Sequence, residues 1–128
     1  MKFLGIDPGK RYIGLAIADD QVNIAMPYQV LDINEYQSWL KELVRIVNQE
    51  KILKIIIGYP IGLSGKPTEQ TRITEQFIES LKETLNIPII SFDERLSSKM
   101  ADKLLLNQKQ NHSVAASIIL QGYLDKQS

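Results

Sequence analysis

The sequence predicts an α/β/α sandwich around a mixed five-stranded sheet. Three strand-like segments follow one another at the N-terminus, which is typical of an antiparallel meander. Helical and strand-like segments then alternate, which is typical of parallel strands joined by crossover helices. A chain of 128 residues fits the usual size of one domain, so we expect a single domain over residues 1–128.

The first three strands are predicted over Lys2–Ile6, Tyr12–Ala18 and about Ile24–Leu31. In the second strand, large apolar residues alternate with small ones, namely Gly14, Ala16 and Ala18. This alternation indicates that one face of the strand is closely packed. Pro27 lies in the third strand, and proline favours an edge strand or a bulge because it has no N–H to donate.

The remaining segments alternate between apolar stripes with helical spacing and short apolar runs typical of buried strands. An apolar stripe with helical spacing predicts a first helix and contains Tyr36, Trp39, Leu40, Leu43, Val44 and Val47. Two apolar runs predict buried strands, over Lys54–Gly58 and Ile87–Phe92. We predict three more helices, over about Pro67–Leu85, Ser97–Leu106 and Ser113–Lys126.

The composition narrows the function classes. The chain has no cysteine, which excludes a disulfide scaffold, a thiolate zinc site and a cysteine nucleophile. It has neither a run of 18 apolar residues nor a signal-peptide pattern, so we expect a cytoplasmic protein without a membrane partner. Fifteen basic residues balance fifteen acidic ones, so any nucleic-acid contact needs a local patch. The candidates for that patch are Lys10, Arg11, Lys66, Arg72 and Arg95.

Carboxylates follow two of the predicted strands. Asp7 ends the first strand, and the segment "DERLSS" follows the strand that ends at Phe92. If these strands are parallel, their carboxyl ends meet at one edge of the sheet, where carboxylates can hold Mg²⁺ or Mn²⁺. Two simpler interpretations stay open at this point. Asp7-Pro8-Gly9-Lys10 fits a type II turn, and Asp93 and Glu94 fit the start of a helix.

Four motifs, in this order, resemble the YqgF/RuvX family. They are "LGIDPGKRYIGLAIAD", "IIIGYPIGLSG", "FDERLSS" and "AASIILQGYLD". The family comprises pre-16S rRNA nucleases, formerly regarded as Holliday junction resolvases, and the resemblance extends from about Lys2 to Asp125. It implies a ribonuclease H-like fold and a metal-dependent endonuclease that matures the 5′ end of pre-16S rRNA. It further implies that Asp7, Glu94 and Asp93 bind the metal, that Asp7 and Glu94 are catalytic, and that Arg95 contacts a phosphate.

His112 departs from the family pattern. It is the only histidine of the chain and stands where family members commonly have a third catalytic aspartate. It shares a helical stripe with Ala115, Ala116 and Ile119, so it is either a structural residue at the helix entrance or a catalytic residue. An imidazole ligand would favour Mn²⁺ over Mg²⁺.

Three alternatives to the rRNA nuclease remain at the level of sequence. In the first alternative, the chain is a nuclease whose substrate is branched DNA, namely a Holliday junction. In the second, it is an RNA-binding module in which His112 weakens catalysis. The third alternative is an ATP-binding domain of the actin and sugar kinase type, against which the single-lobe length argues. The sequence leaves open whether the chain is a monomer or a homodimer.

Overall fold

The computed structural model describes residues 1–34, 38–59, 69–93 and 108–127. These residues form five strands: β1 (Lys2–Pro8), β2 (Tyr12–Asp19), β3 (Ile24–Asp32), β4 (Ile52–Tyr59) and β5 (Ile89–Asp93). They also form the helices α1 (Trp39–Glu50), α2 (Glu69–Thr84) and α3 (Gln108–Gln127). The helix predicted over Ser97–Leu106 and the start of the first apolar stripe at Tyr36 lie outside the described residues.

The strands form one mixed sheet in the order β3-β2-β1-β4-β5. The meander of β1, β2 and β3 is antiparallel, whereas β4 and β5 run parallel to β1. Asp7, Tyr59 and Asp93 therefore lie at the carboxyl ends of three parallel neighbours, which we call the carboxyl edge of the sheet. This arrangement confirms the mixed five-stranded sheet predicted from the sequence.

Helices cover the sheet on both faces and give two separate cores. On one face, α1 and α2 bury residues against β1 and β4; the buried side chains include Leu4, Ile6, Leu43, Ile46, Ile55, Ile57, Phe77 and Leu81. On the other face, α3 buries Ile119, Leu120 and Tyr123 against Ala16, Ala18 and Ile56. The run Ile55–Ile57 thus contributes to both cores, which explains why it is apolar at every position.

Helix α3 lies unusually close to β1 and β2 because glycines face it. A Cβ on Gly5 would lie 2.8 Å from Leu120 Cβ and 2.9 Å from the Ala116 carbonyl oxygen. A Cβ on Gly14 would lie 1.9 Å from the carbonyl oxygen of His112. The small residues of β2 therefore set the distance between α3 and the sheet, as their alternation in the sequence indicates.

Some boundaries differ from the predicted ones. Strand β5 begins at Ile89 rather than Ile87, because Pro88 cannot donate to the ladder; its carbonyl instead accepts a bond of 2.9 Å from Ile55 N. Helix α3 begins five residues before the predicted start at Ser113. The expectation for Pro27 is confirmed, because β3 is the edge strand and its register with β2 shifts next to Pro27. None of the helices formed by the described residues is long and apolar enough to cross a membrane.

Candidate active site at the carboxyl edge

Asp7 is held by the β1–β2 ladder and not by a tight turn. It pairs with Gly14, and Pro8 still pairs with Ile13, so β1 continues past the aspartate. Gly9 is not in the left-handed backbone region, so the type II turn predicted at Asp7–Lys10 is wrong. The chain instead reverses through the wider loop that follows Pro8. Asp7 is therefore positioned by regular strand geometry, at the point where three parallel strands end.

The structure brings Asp7 and His112 together. Nδ1 of His112, in the second turn of α3, lies 3.0 Å from Oδ2 of Asp7. The Asp7 side chain is 13% exposed and that of His112 is 25% exposed, so solvent and a ligand can both reach this partly buried pair. An ionised Asp7 accepts the hydrogen bond, which places the imidazole proton on Nδ1 and directs Nε2 away from the carboxylate. Among the described residues, none hydrogen-bonds Oδ1 of Asp7 or Nε2 of His112.

The imidazole of His112 is confined by the loop after β1. A Cβ on Gly9 would lie 2.9 Å from Cε1 of His112 and 2.6 Å from the Tyr12 carbonyl oxygen. Glycine is therefore required at position 9 for space. The ring of Tyr12 packs beside the imidazole, with 5.8 Å between the ring centroids and an angle of 47° between the planes. Together with the hydrogen bond to Asp7, these contacts restrict the rotation of the imidazole.

Arg11 is engaged by the protein itself. Its Nε donates to Oδ1 of Asp32 at 3.3 Å and its terminal nitrogen donates to Oδ2 at 3.2 Å, a paired geometry typical of arginine and carboxylate. The guanidinium also lies 5.0 Å from the centre of the Tyr12 ring. The Asp32 side chain is only 4% exposed. Arg11 thus fastens the loop after β1 to the end of β3, which supports Tyr12 and indirectly His112.

We expect Arg11→Ala to lower the free energy of unfolding by about 1–2 kcal/mol, because it removes two charge-assisted hydrogen bonds from a buried carboxylate. The expected change in the free energy of unfolding is modest because the Arg11 side chain is 56% exposed. Urea denaturation measures the change. Arg72→Ala is the matched control: Arg72 is exposed on α2 and forms no ion pair within the described residues, so we expect a change below about 0.5 kcal/mol. Equal stability of the two variants would contradict a structural role for Arg11.

The first turn of α2 is attached to the same loop. Nζ of Lys10 lies 2.8 Å from Oε1 of Glu69, an ion pair in which both side chains are more than half exposed. Gln70 donates from Nε2 to the carbonyl oxygen of Pro8 at 2.6 Å. Arg72 is exposed one turn further along. Lys10 and Arg72 therefore place positive charge at the solvent side of the carboxyl edge.

Tyr59 lies at the end of β4, the strand between β1, which carries Asp7, and β5, which ends at Asp93. Its hydroxyl donates to Oε1 of Glu75 at 2.6 Å, and its register partner on β5 is Asp93. The hydrogen bond to the Glu75 carboxylate raises the pKa of the Tyr59 phenol above its ordinary value, with smaller contributions from desolvation and from the charge of Glu75. Tyr59 therefore stays protonated near neutral pH and acts as a hydrogen-bond donor.

Besides Arg11, which pairs with Asp32, the predicted site residues that the structure describes lie in three places. Asp7 and His112 are in contact, Lys10 and Arg72 lie at the same edge, and Asp93 ends β5 two strands away from Asp7. Lys66, Glu94 and Arg95 lie outside the described residues. Within the described part of the chain, no three carboxylates or histidines are close enough to hold a metal ion by themselves.

Sequence reasoning missed three residues that support the pair. Tyr12 packs on His112, Gln70 binds the Pro8 carbonyl, and Asp32 binds Arg11. Each of the three contacts joins residues at least 21 positions apart. The only sequence signal is the position of Asp32 directly after the apolar residues Val30 and Leu31, because a carboxylate buried there needs a charged partner.

Solved structures with a similar arrangement define the class of the fold. The Fowlpox virus resolvase in complex with substrate Holliday junction DNA superposes with a TM-score of 0.63 over 99% of both chains, at 14% identity. RuvC from T. thermophilus in complex with a Holliday junction substrate gives a TM-score of 0.59 over 99% of this chain and 95% of that one, at 15% identity. The fold is therefore ribonuclease H-like, in the variant found in these resolvases.

The chain belongs to the RuvX family. The family model, described as "RuvX: Holliday junction resolvase", matches residues 1–126. A relative from Chloroflexus aggregans is 35% identical over 95% of this chain and 92% of its own length. A relative from Dictyoglomus turgidum is 35% identical over 100% of this chain and 96% of its own length. Both carry the provisional name pre-16S rRNA nuclease. The resemblance found in the sequence is thus confirmed, and the family is one of nucleases, which hydrolyse phosphodiester bonds.

Proposed function

We propose that this chain is a divalent-metal-dependent endonuclease that cleaves the 5′ leader of pre-16S rRNA at the carboxyl edge of its sheet. One observation carries the proposal: Asp7 presents a partly exposed carboxylate at the end of β1, in contact with the only histidine of the chain. The curated relatives, named for pre-16S rRNA cleavage, support the choice of substrate.

The donors at this edge fit a hard divalent cation. Oδ1 of Asp7 accepts no hydrogen bond from the described residues, so one carboxylate oxygen is available for coordination. Asp93 and Glu94 are the proposed further ligands, because Asp93 ends the parallel strand β5 and Glu94 is the next residue of the sequence. Mg²⁺ or Mn²⁺ bound there would supply Lewis acidity at the phosphate.

His112 is the proposed proton acceptor. Because Nδ1–H donates its hydrogen bond to Asp7, the lone pair of a neutral imidazole lies on Nε2, which no described residue contacts by a hydrogen bond. Nε2 can take a proton from the attacking water, while Gly9 and Tyr12 keep the ring in place. Lys10 and Arg72 would contact backbone phosphates, and Lys66 and Arg95 are proposed to extend this basic surface.

The substrate assignment is tested with labelled nucleic acids. Purified protein is incubated with a 16S rRNA transcript that carries its 5′ leader, and in parallel with a four-way DNA junction, each with Mg²⁺, Mn²⁺ or EDTA. We expect a discrete cut in the leader with either cation and none with EDTA. Cleavage of the junction alone would replace rRNA by branched DNA as the substrate, and cleavage of neither would refute the nuclease assignment.

A second candidate function is an RNA-binding module with weakened catalysis. It is favoured by the contact itself, because His112 occupies one oxygen of Asp7 and replaces a negative charge that would attract a cation.

We expect His112→Ala to lower the cleavage rate roughly 10²-fold, the usual contribution of a general base. Cleavage and leader binding are measured separately, and binding should be retained. A His112→Asp variant that cuts faster than the wild type would instead favour the weakened module.

A further inference from the structure

A cavity of about 370 Å³ lies on the α1/α2 face of the sheet, next to the loop that follows Asp7. Its apolar lining comprises Ile33, Trp39, Ile73 and Phe77. Trp39 and Phe77 form a stacked pair, with ring centroids 4.6 Å apart and planes 14° from parallel. Polar groups complete the lining: Gly9, Lys10, Glu69, Gln76 and Ser80. Neither Asp7 nor His112 lines this cavity, whereas Gly9 and Lys10 belong to the loop that it shares with the proposed cleavage site.

The lining suits a flat ring with a hydrogen-bonding rim. The half-buried Trp39 indole, stacked on the buried Phe77 ring, provides the aromatic surface of the lining, and stacking on an aromatic ring tolerates all base identities. Gln76 and Ser80 can donate and accept hydrogen bonds, as the edge of a base requires. Lys10 and Glu69 form an exposed ion pair at the solvent side, and a backbone phosphate would have to replace the Glu69 carboxylate as the partner of Lys10. A volume of this size lies within the range of small-molecule pockets.

The loop after β1 connects the cavity, which lies on the α1/α2 face, with Asp7, whose carboxylate contacts His112 of α3. Gly9 and Lys10 line it, and they follow Asp7 by only two and three positions on the same loop. From these observations we infer that the cavity receives one unpaired base of the strand whose phosphate lies at Asp7. The inference rests on the proposed function, because it requires a nucleic acid at the carboxyl edge. The cavity would thus select a substrate whose strand is unpaired next to the cut.

The single tryptophan of the chain provides a direct test. Wild-type protein in EDTA is titrated with a seven-nucleotide RNA and with the DNA of the same sequence, and Trp39 fluorescence is recorded. Each oligonucleotide is then compared with versions that carry one abasic position, moved along the strand. We expect the intact strand to quench Trp39. One abasic position should relieve the quenching and weaken binding roughly tenfold, the usual effect of losing one stacked base.

Two substitutions on α2 provide a matched comparison. Ser80→Phe places a ring in the cavity and should abolish the quenching, whereas Glu79→Phe adds the same ring at an exposed neighbouring position and should leave it unchanged. Quenching that is absent from the wild type, or that persists with every abasic version, would overturn the inference. Because the abasic series uses wild-type protein, it tests the inference even if Ser80→Phe does not fold.

Failure of the cavity and failure of the nuclease are distinguishable. Leader cleavage without Trp39 quenching would overturn the base-binding cavity and leave the nuclease intact. Quenching relieved at one abasic position, in a protein that cuts neither RNA nor DNA, would support the cavity and refute the nuclease. Comparing the RNA and DNA series shows which of the two strands supplies the base.

Discussion

Gly14→Ala is expected to lower the free energy of unfolding by about 3 kcal/mol or more, the upper range for forced overpacking. A methyl group at this position would lie 1.9 Å from the carbonyl oxygen and 2.1 Å from the carbonyl carbon of His112. Both are backbone atoms of α3, so no side-chain rotation relieves the overlap. The helix must move, and the contacts that it makes with Ala16, Ala18 and Ile56 would be lost. Urea denaturation followed by circular dichroism measures the change.

Gly122→Ala is the matched control for this prediction. Gly122 lies on α3, and its added Cβ would meet only the Phe92 ring, at 3.1 Å from Cε1. That ring can shift by a few tenths of an ångström, while alanine favours the helix by up to about 1 kcal/mol over glycine. We therefore expect a change of less than about 1 kcal/mol. Equal unfolding free energies for the two variants would contradict the close contact between α3 and β2.

Periodicity identified most of the fold because each pattern is local. The alternation of small and large residues in β2 predicted a closely packed face, on which α3 lies, and the apolar run at Ile55–Ile57 predicted a strand covered on both sides. The start of β5 was predicted two residues early, because the apolar pattern includes Ile87 although Pro88 cannot join the ladder. Periodicity reports burial, whereas strand boundaries depend on backbone hydrogen bonds.

The candidate site was only partly predictable, for a different reason. Asp7 could be found because it follows the predicted strand Lys2–Ile6, and His112 because it departs from the family pattern. Arg11 was expected to bind nucleic acid, yet its guanidinium is paired with Asp32, 21 positions away. Gly9 was interpreted through turn geometry, whereas it provides space for the His112 ring. Contacts between distant residues leave no periodic signal, so the sequence alone does not reveal them.

Asp7→Asn is expected to reduce leader cleavage by about 10³-fold while the protein remains folded. The amide keeps the size of the side chain and can still accept the hydrogen bond from Nδ1 of His112, so the free energy of unfolding should change by less than about 1 kcal/mol. What it removes is the negative charge. A charged ligand that holds a catalytic cation contributes several kcal/mol to the transition state, which corresponds to a loss of about 10³ in rate. Single-turnover cleavage of the labelled leader measures the effect.

Asp19→Asn makes the same substitution at the opposite edge of the same sheet. Asp19 ends β2, pairs with Lys2 in the ladder and is 38% exposed, so it carries a comparable charge far from the proposed chemistry. Cleavage by this variant should equal that of the wild type. Leader binding separates the remaining cases: Asp7→Asn should bind at least as tightly, because a charge that repels phosphate is gone. If it binds normally and still cleaves at the wild-type rate, Asp7 is not the catalytic carboxylate, whatever its contact with His112.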